Sequence, residues 1–462
     1  MCRWMRLSIE SPAGCESEKR YAFDVIFSHW LGLDFDVNFS NRPDYVVWKS
    51  RESGVIRIPD HFFSQACSRW LDPASVPTNM GSWLSEGGCE FHICQSNEIS
   101  GVDWVGGESL QQLGTTCDII GLVFFFLSRY EECFMQVEDE HGRFPSEASL
   151  AHRAGWLHRP VVDECVEGLR RAIERMWPGS TVPAPGYRRQ ISCDVDSPFE
   201  PYADSFRATL RRLTGDVLRR KSPRETRHTM ANFLATRMGA YNLDRFDTFD
   251  WMMDVNESQG NRVVFYFISG ITNTALDDRY KLRSRRIRHL MCRIHARGHE
   301  IGLHGSYGSM LDPDALVREA ESLREVMALE GIKQSEIGLR QHYLRWRTPT
   351  TAKIAAKAGV RYDASLGFAD AAGFRCGTCR MFPMYDPVIR KRIDLFERPL
   401  VAMEASLINA HSTEGEVSGA FQTLTELSRV CRTVGGDFSL LWHNSSLTTH
   451  AMKTTYLQAI AL

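Results

Sequence analysis

Between Val263 and Ile268 every residue is apolar or aromatic, and Ser269-Gly270 closes the run. An unbroken stretch of this length, rich in β-branched and aromatic side chains, predicts a strand buried on both faces, as in a parallel sheet. A helix is expected downstream: Asp312 can cap it, Pro313 fits its first turn, and Leu316, Ala320, Leu323 and Met327 recur at helical spacing until Gly331. The alternation continues through Gly338-Leu339-Arg340, a helix from Thr350 to Lys357 stopped at Gly359, the short strand Val360-Arg361-Tyr362, and a strand from Phe438 to Trp442. Such β/α alternation implies a parallel sheet or barrel with its chemistry at the C-terminal ends of the strands.

Upstream, a helical pattern from Val162 to Met176 gives way to Pro183-Ala184-Pro185-Gly186, which marks a boundary between an N-terminal unit (1–183) and a second unit (184–462). The first unit mixes short strands with helices, reads as a smaller α/β or α+β domain, and shows no cluster of ligand-type residues. Ser128 to Glu132 and His141 to Pro145 read as a helix end followed by a turn. The most apolar run, Ile119 to Leu127, is far shorter than the ~20 residues of a spanning helix.

A chain of 462 residues exceeds what one core usually supports, which agrees with two units. With 43% hydrophobic and 24% charged residues and a formal net charge of -2, the composition argues against a nucleic-acid binder. Thirteen scattered cysteines, an odd number without a short-spaced framework, favour reduced thiols, and no signal-peptide pattern opens the chain. A cytoplasmic location is therefore expected. One local charge run departs from this balance. From Arg207 to His228, within an insertion near 204–229, arginines alternate with Leu210, Leu213, Val217 and Leu218. The simplest reading is a solvated face. The other is a dock for a nucleotide diphosphate, a lipid-linked diphosphate or an anionic membrane surface.

Candidate chemistry begins at Cys193-Asp194-Val195-Asp196. Residues two apart on an extended segment share a face, so both carboxylates would project together. His299 and His304 flank a glycine-containing segment, and imidazole with carboxylate suits zinc or another first-row divalent ion. His304 is the better ligand, and His299 reads as part of a capped helix end.

With Arg340-Gln341-His342-Tyr343 and Leu441-Trp442-His443-Asn444, these segments resemble the motifs of the polysaccharide deacetylase family with its NodB homology domain, over residues 187 to 447. The resemblance implies a distorted (β/α) barrel. It also implies Asp194 as general base, Asp196 and His304 as metal ligands, Arg340 steadying Asp194, the Tyr343 backbone N–H on the oxyanion, and His443 as general acid. A second family histidine would stand at Gly308, and His342 is the candidate replacement ligand. Alternatively, His342 bonds substrate or a neighbouring carboxylate while water completes the ion's shell. Tyr362 to Phe368 and Gly373 to Thr378 resemble a branch associated with bacterial surface polysaccharides, and Arg375 and Trp442 are candidate substrate contacts. The implied reaction removes an N-acyl group, acetyl or formyl, from a sugar, a nucleotide sugar or a lipid-linked glycan. The alternative is a degenerate relative that binds glycan without hydrolysis. Cys376 and Cys379 supply only two ligands and read as reduced loop cysteines.

Overall fold

A computed structural model describes residues 6–50, 53–76, 92–93, 99–100, 104–106, 112–180, 182–184, 186–203, 205–277, 280–408 and 414–462. Pro185 of the boundary segment and residue 204 of the insertion lie outside them. The chain is a mixed α/β structure with two principal sheets.

The larger sheet has nine strands, and Val263–Ile268 lies inside it. This strand pairs in parallel with Arg188–Val195 on one side and Glu300–Gly305 on the other. Gly338–Gln341 and Tyr362–Asp363 extend the sheet beyond Glu300–Gly305, whereas Asp437–Leu441 and Ala402–Met403 extend it beyond Arg188–Val195. Among the described residues only the edge strand Phe382–Asp386 runs antiparallel, against Lys391–Glu397. Among the described residues the strand order is that of an open sheet, and the expected closure into a barrel is not shown. Every central strand is nonetheless followed by a helix or loop on the same end, which gathers the side chains after Val195, His304, Gln341 and Leu441 on one edge of the sheet.

The helical expectations hold in detail. Asp312 accepts from the Asp314 and Ala315 amides at the start of Pro313–Leu329, with Pro313 in its first turn, and the next helix spans Thr350–Lys357. Ile119–Leu127 is a wholly buried helix capped by Asp118. Among the described residues no helix is long and apolar enough to cross a membrane.

The smaller sheet has six strands, in the order Asp34–Ser40, Arg6–Pro12, Asp44–Trp48, Val55–Pro59, Gln112–Gly114, Val105–Gly106, with mixed pairing. Its helices do not stand apart from the larger sheet. Phe124 and Tyr21 pack on Tyr385 with ring centroids 5.4 and 4.8 Å apart, and one continuous apolar core holds residues of both parts. The indoles of Trp30 and Trp70 donate to the Met381 and Pro387 carbonyls, and the Tyr21 hydroxyl donates to Pro383. Asp163 accepts from the Cys379 amide and the Thr378 hydroxyl. Cutting at residue 183 would therefore strip the 374–392 segment of its packing, which argues against an independently folding second unit.

Cys15 and Cys67 form a disulfide, a departure from the expectation that all thiols are free. Cys376 and Cys379 are free and buried.

Candidate metal centre

Asp196, His304 and His342 present one carboxylate oxygen and two imidazole nitrogens within 4.8 Å of one another. Each arrives from a different strand end, so the parallel register sets the triangle. Asp196 follows the Arg188–Val195 strand directly, His304 is the penultimate residue of its strand, and His342 comes one residue after Gly338–Gln341. This donor set suits zinc and neighbouring first-row divalent ions.

Hydrogen bonds on the far side of each ring decide which nitrogen faces the centre. The Nδ1 of His304 donates to the Arg340 carbonyl at 2.7 Å, which turns Nε2 toward Asp196 Oδ1 at 3.1 Å. The Nδ1 of His342 meets Asp277 Oδ1 at 3.0 Å, and its Nε2 lies 3.5 Å from Asp196 Oδ1. A carboxylate behind a ligating histidine fixes the ring and strengthens it as a donor. Burial would raise the Asp277 carboxyl, but His342 and the amides of Asn273, Tyr307 and Thr272 bring it down to about 2. Burial would likewise raise Asp196, yet the His304 hydrogen bond and the charges of His443, His342 and His304 hold it well below the usual carboxylate range. His342→Ala should weaken affinity for a divalent ion at least ~10-fold, even on the scale of outer-shell changes. Zinc titration of the folded variant checks this, and unchanged affinity would remove His342 from the ligand set.

Two more titratable groups border the triangle. Asp194 Oδ2 lies 3.7 Å from His304 Nε2, while its Oδ1 is buried without a hydrogen-bond partner among the described residues. Such an orphaned oxygen is what a bound water would satisfy. His443 sits across the mouth with Nε2 3.4 Å from Asp196 Oδ2 and Nδ1 2.6 Å from Glu404 Oε1. Burial disfavours its charge, but Glu404 and then Asp196 and Asp194 outweigh that and push it up to about 10. Asn444 donates to the Ser197 and Phe246 carbonyls, which anchors the loop after Asp196.

Tyr343 has left-handed backbone angles (φ 63°), as does Leu344 (φ 55°), an unfavourable conformation for non-glycine residues that turns the chain sharply after His342. The Tyr343 ring packs 4.7 Å from both His342 and His141 and 5.5 Å from Tyr307. His141 belongs to the N-terminal part. Its Nδ1 lies 3.2 Å from the Tyr307 hydroxyl, and Arg143 donates to the Tyr343 carbonyl at 3.0 Å. The turn at 139–143 thus packs on the rim of the centre, a placement that its turn-like sequence does not announce.

Three expectations are corrected. Arg340 makes no ion pair with Asp194; it donates to Ser192 Oγ at 3.3 Å and lies near the buried carboxyls of Asp363 and Glu397. Burial raises both of these acids, Asp363 to about 6. Arg375 is 2% exposed and bonded to Glu132 and the Gly367 carbonyl, so it ties chain segments together and does not face substrate. Trp442 is wholly buried against Tyr456. His299 is structural, as expected: its Nδ1 accepts from the Val263 amide and its Nε2 meets Glu257. At Gly308, where the family histidine would stand, a Cβ would lie 3.0 Å from the Thr272 hydroxyl, so a side chain there would have to push Thr272 aside by a few tenths of an ångström.

Asp277 and Glu404, which hold the rings of His342 and His443, are the side chains of this candidate site that the sequence conceals. Neither stands in a motif or at a telling spacing.

Residues 7–178 match a family of unknown function (DUF7033), so the centre lies outside the matched segment. None of the curated proteins compared with the chain matches it. Among solved structures, the chain is similar to one described as "putative polysaccharide deacetylase from Mycobacterium smegmatis", at 17% identity and a TM-score of 0.36, over 62% of this chain and 85% of that one.

Proposed function

We propose that this protein is a metal-dependent hydrolase that removes an N-acyl group, acetyl or formyl, from a sugar during surface-polysaccharide assembly. The observation that carries the reading is the Asp196, His304, His342 triangle with a second carboxylate on one side and a paired histidine on the other. A divalent ion held there would lower the pKa of a bound water and polarise an acyl carbonyl.

In this reading Asp194 takes a proton from that water. Its buried Oδ1 has no hydrogen-bond partner among the described residues, so a water ordered there would displace no protein donor. In this reading His443 hands a proton to the leaving amine, supported by Glu404, which orients its ring and favours the charged form. The Tyr343 amide, on its left-handed turn, is the candidate donor to the developing oxyanion. The substrate classes in view are an N-acylated sugar, a nucleotide sugar or a lipid-linked glycan, lying against the Tyr307, Tyr343 and His141 rim. A glycan-binding protein without turnover would have no need of a base, an acid and the acid's carboxylate partner together, and this favours hydrolysis.

The test joins metal analysis of the purified protein to acetate and formate release from a panel of N-acylated nucleotide sugars and glycans. One divalent ion per chain with acyl release that a chelator abolishes is the expected result. Stoichiometric ion without release from any member would favour the binding reading.

A further inference from the structure

The insertion folds as a helical hairpin, Phe206–Leu218 and Pro223–Arg237, whose polarity is turned inside out. Its buried positions are mostly polar: Thr209, Asp216, Thr229 and Asn232. Phe206, Leu210 and Val217, which recur along one stripe of the first helix, are more than half exposed, as is Leu234 on the second. The stripes meet where the Phe206 and Phe233 rings stand 6.2 Å apart. Nine of the sixteen large hydrophobic side chains exposed among the described residues lie between 206 and 243, so the patch is concentrated and not scattered. A helix pair in water normally turns its apolar stripe inward.

Charge decides what covers this face. Between 206 and 238 stand nine lysines and arginines against Asp216 and Glu225. Both acids are already engaged, Asp216 by Arg220 and Thr229, Glu225 by Arg245. An open groove of about 640 Å³ on the hairpin is lined by Arg211, Arg212, Arg219 and Arg220 together with Leu218. A second copy seated on the stripe would bring like charges together, whereas an anionic surface with an apolar interior meets both features at once.

We propose that the hairpin docks on an anionic phospholipid bilayer, its apolar stripe entering the interface and its arginines resting on headgroup phosphates. The hairpin is braced on the segment that follows Asp196. Glu200, four residues after Asp196, pairs with His228 and accepts from Asn232 and Tyr202. Docking would hold the strand-end face beside the membrane surface. This inference stands apart from the chemistry of the centre, and its test needs no turnover.

The full chain is floated with vesicles of phosphatidylcholine alone and of phosphatidylcholine mixed with phosphatidylglycerol. Binding to the mixed vesicles, weakening with salt, and none to the neutral ones is expected. The triple variant R207Q/R211Q/R219Q, which leaves the Arg220–Asp216 pair intact, should lower partitioning roughly 100-fold, the product of about fivefold per cation near an anionic surface. The triple variant F206S/L210S/L234S keeps every charge and should lower it at least ~10-fold, because three apolar side chains no longer leave water. Those side chains are exposed in the free protein, so their loss spares the core, and an unchanged urea melt would report an intact fold. Failure of the wild-type chain to bind mixed vesicles, or undiminished binding by the serine variant, overturns the proposal. So does a vesicle-free dimer, seen by sedimentation equilibrium, that the serine variant loses.

Discussion

Asp194→Asn should bind its divalent ion with near-normal affinity and lose about 10³-fold in acyl release, the middle of the range for a missing general base. The amide keeps the carboxylate's shape but cannot take a proton. Asp194 stands 3.7 Å from His304 and outside the Asp196, His304, His342 group, so no ligand is removed. Parallel zinc titration and initial rates separate the outcomes. Near-normal turnover would dismiss Asp194 as the base, and loss of the ion would recast it as a ligand.

Glu132→Ala should destabilise the fold by ~3–5 kcal/mol, the usual cost of leaving a buried charge without its partner. Glu132 lies between two buried guanidiniums, accepting from Arg375 Nε at 2.9 Å and Arg129 Nε at 3.0 Å, and Thr348 donates to its other oxygen at 2.8 Å. Burial would raise this carboxyl, but Arg375 and then Arg129 pull it down to about 2. A folded value below the unfolded one means that the stabilisation is complete above roughly pH 5, where an unfolded glutamate is ionised. It is lost as the pH falls from there toward 2. Urea melts of both proteins between neutral pH and pH 3 should therefore converge as acid is added. A variant as stable as wild type at pH 7 would show that the cluster does not join the two sheets energetically.

Much of the sheet could be read from the chain, because strands buried on both faces announce themselves as runs such as Val263 to Ile268. Asp312 and Pro313 marked their helix by local chemistry that needs no tertiary context. The donor triangle was legible through short motifs, and His342 stood out beside Tyr343. What stayed hidden depends on partners far away in sequence. Arg375 looked like an anion contact because nothing near it in sequence mentions Glu132, 243 residues upstream. Trp442 borders His443 but faces the core, since adjacent residues on an extended segment point to opposite sides. For the hairpin, spacing identified an amphipathic stripe but could not tell which face would be buried. The division at Pro183 marks a change of sheet, while the packing of Phe124 on Tyr385 crosses it.

The pairing of Arg188–Val195 with Asp437–Leu441 has a bearing on biosynthesis. Arg188–Val195 is the first strand of this sheet to be made, yet one of its two neighbours is made only after every other strand of the sheet. Closing so long a loop carries an entropic cost that grows slowly with length, but the partner must first exist. Until then Arg188–Val195 keeps one row of amides and carbonyls unpaired, an edge open to adventitious strands. The nascent chain thus passes through a period in which Asp194 and Asp196 are in place while His443 is still missing, and a translational stall in that interval would leave a species prone to aggregate.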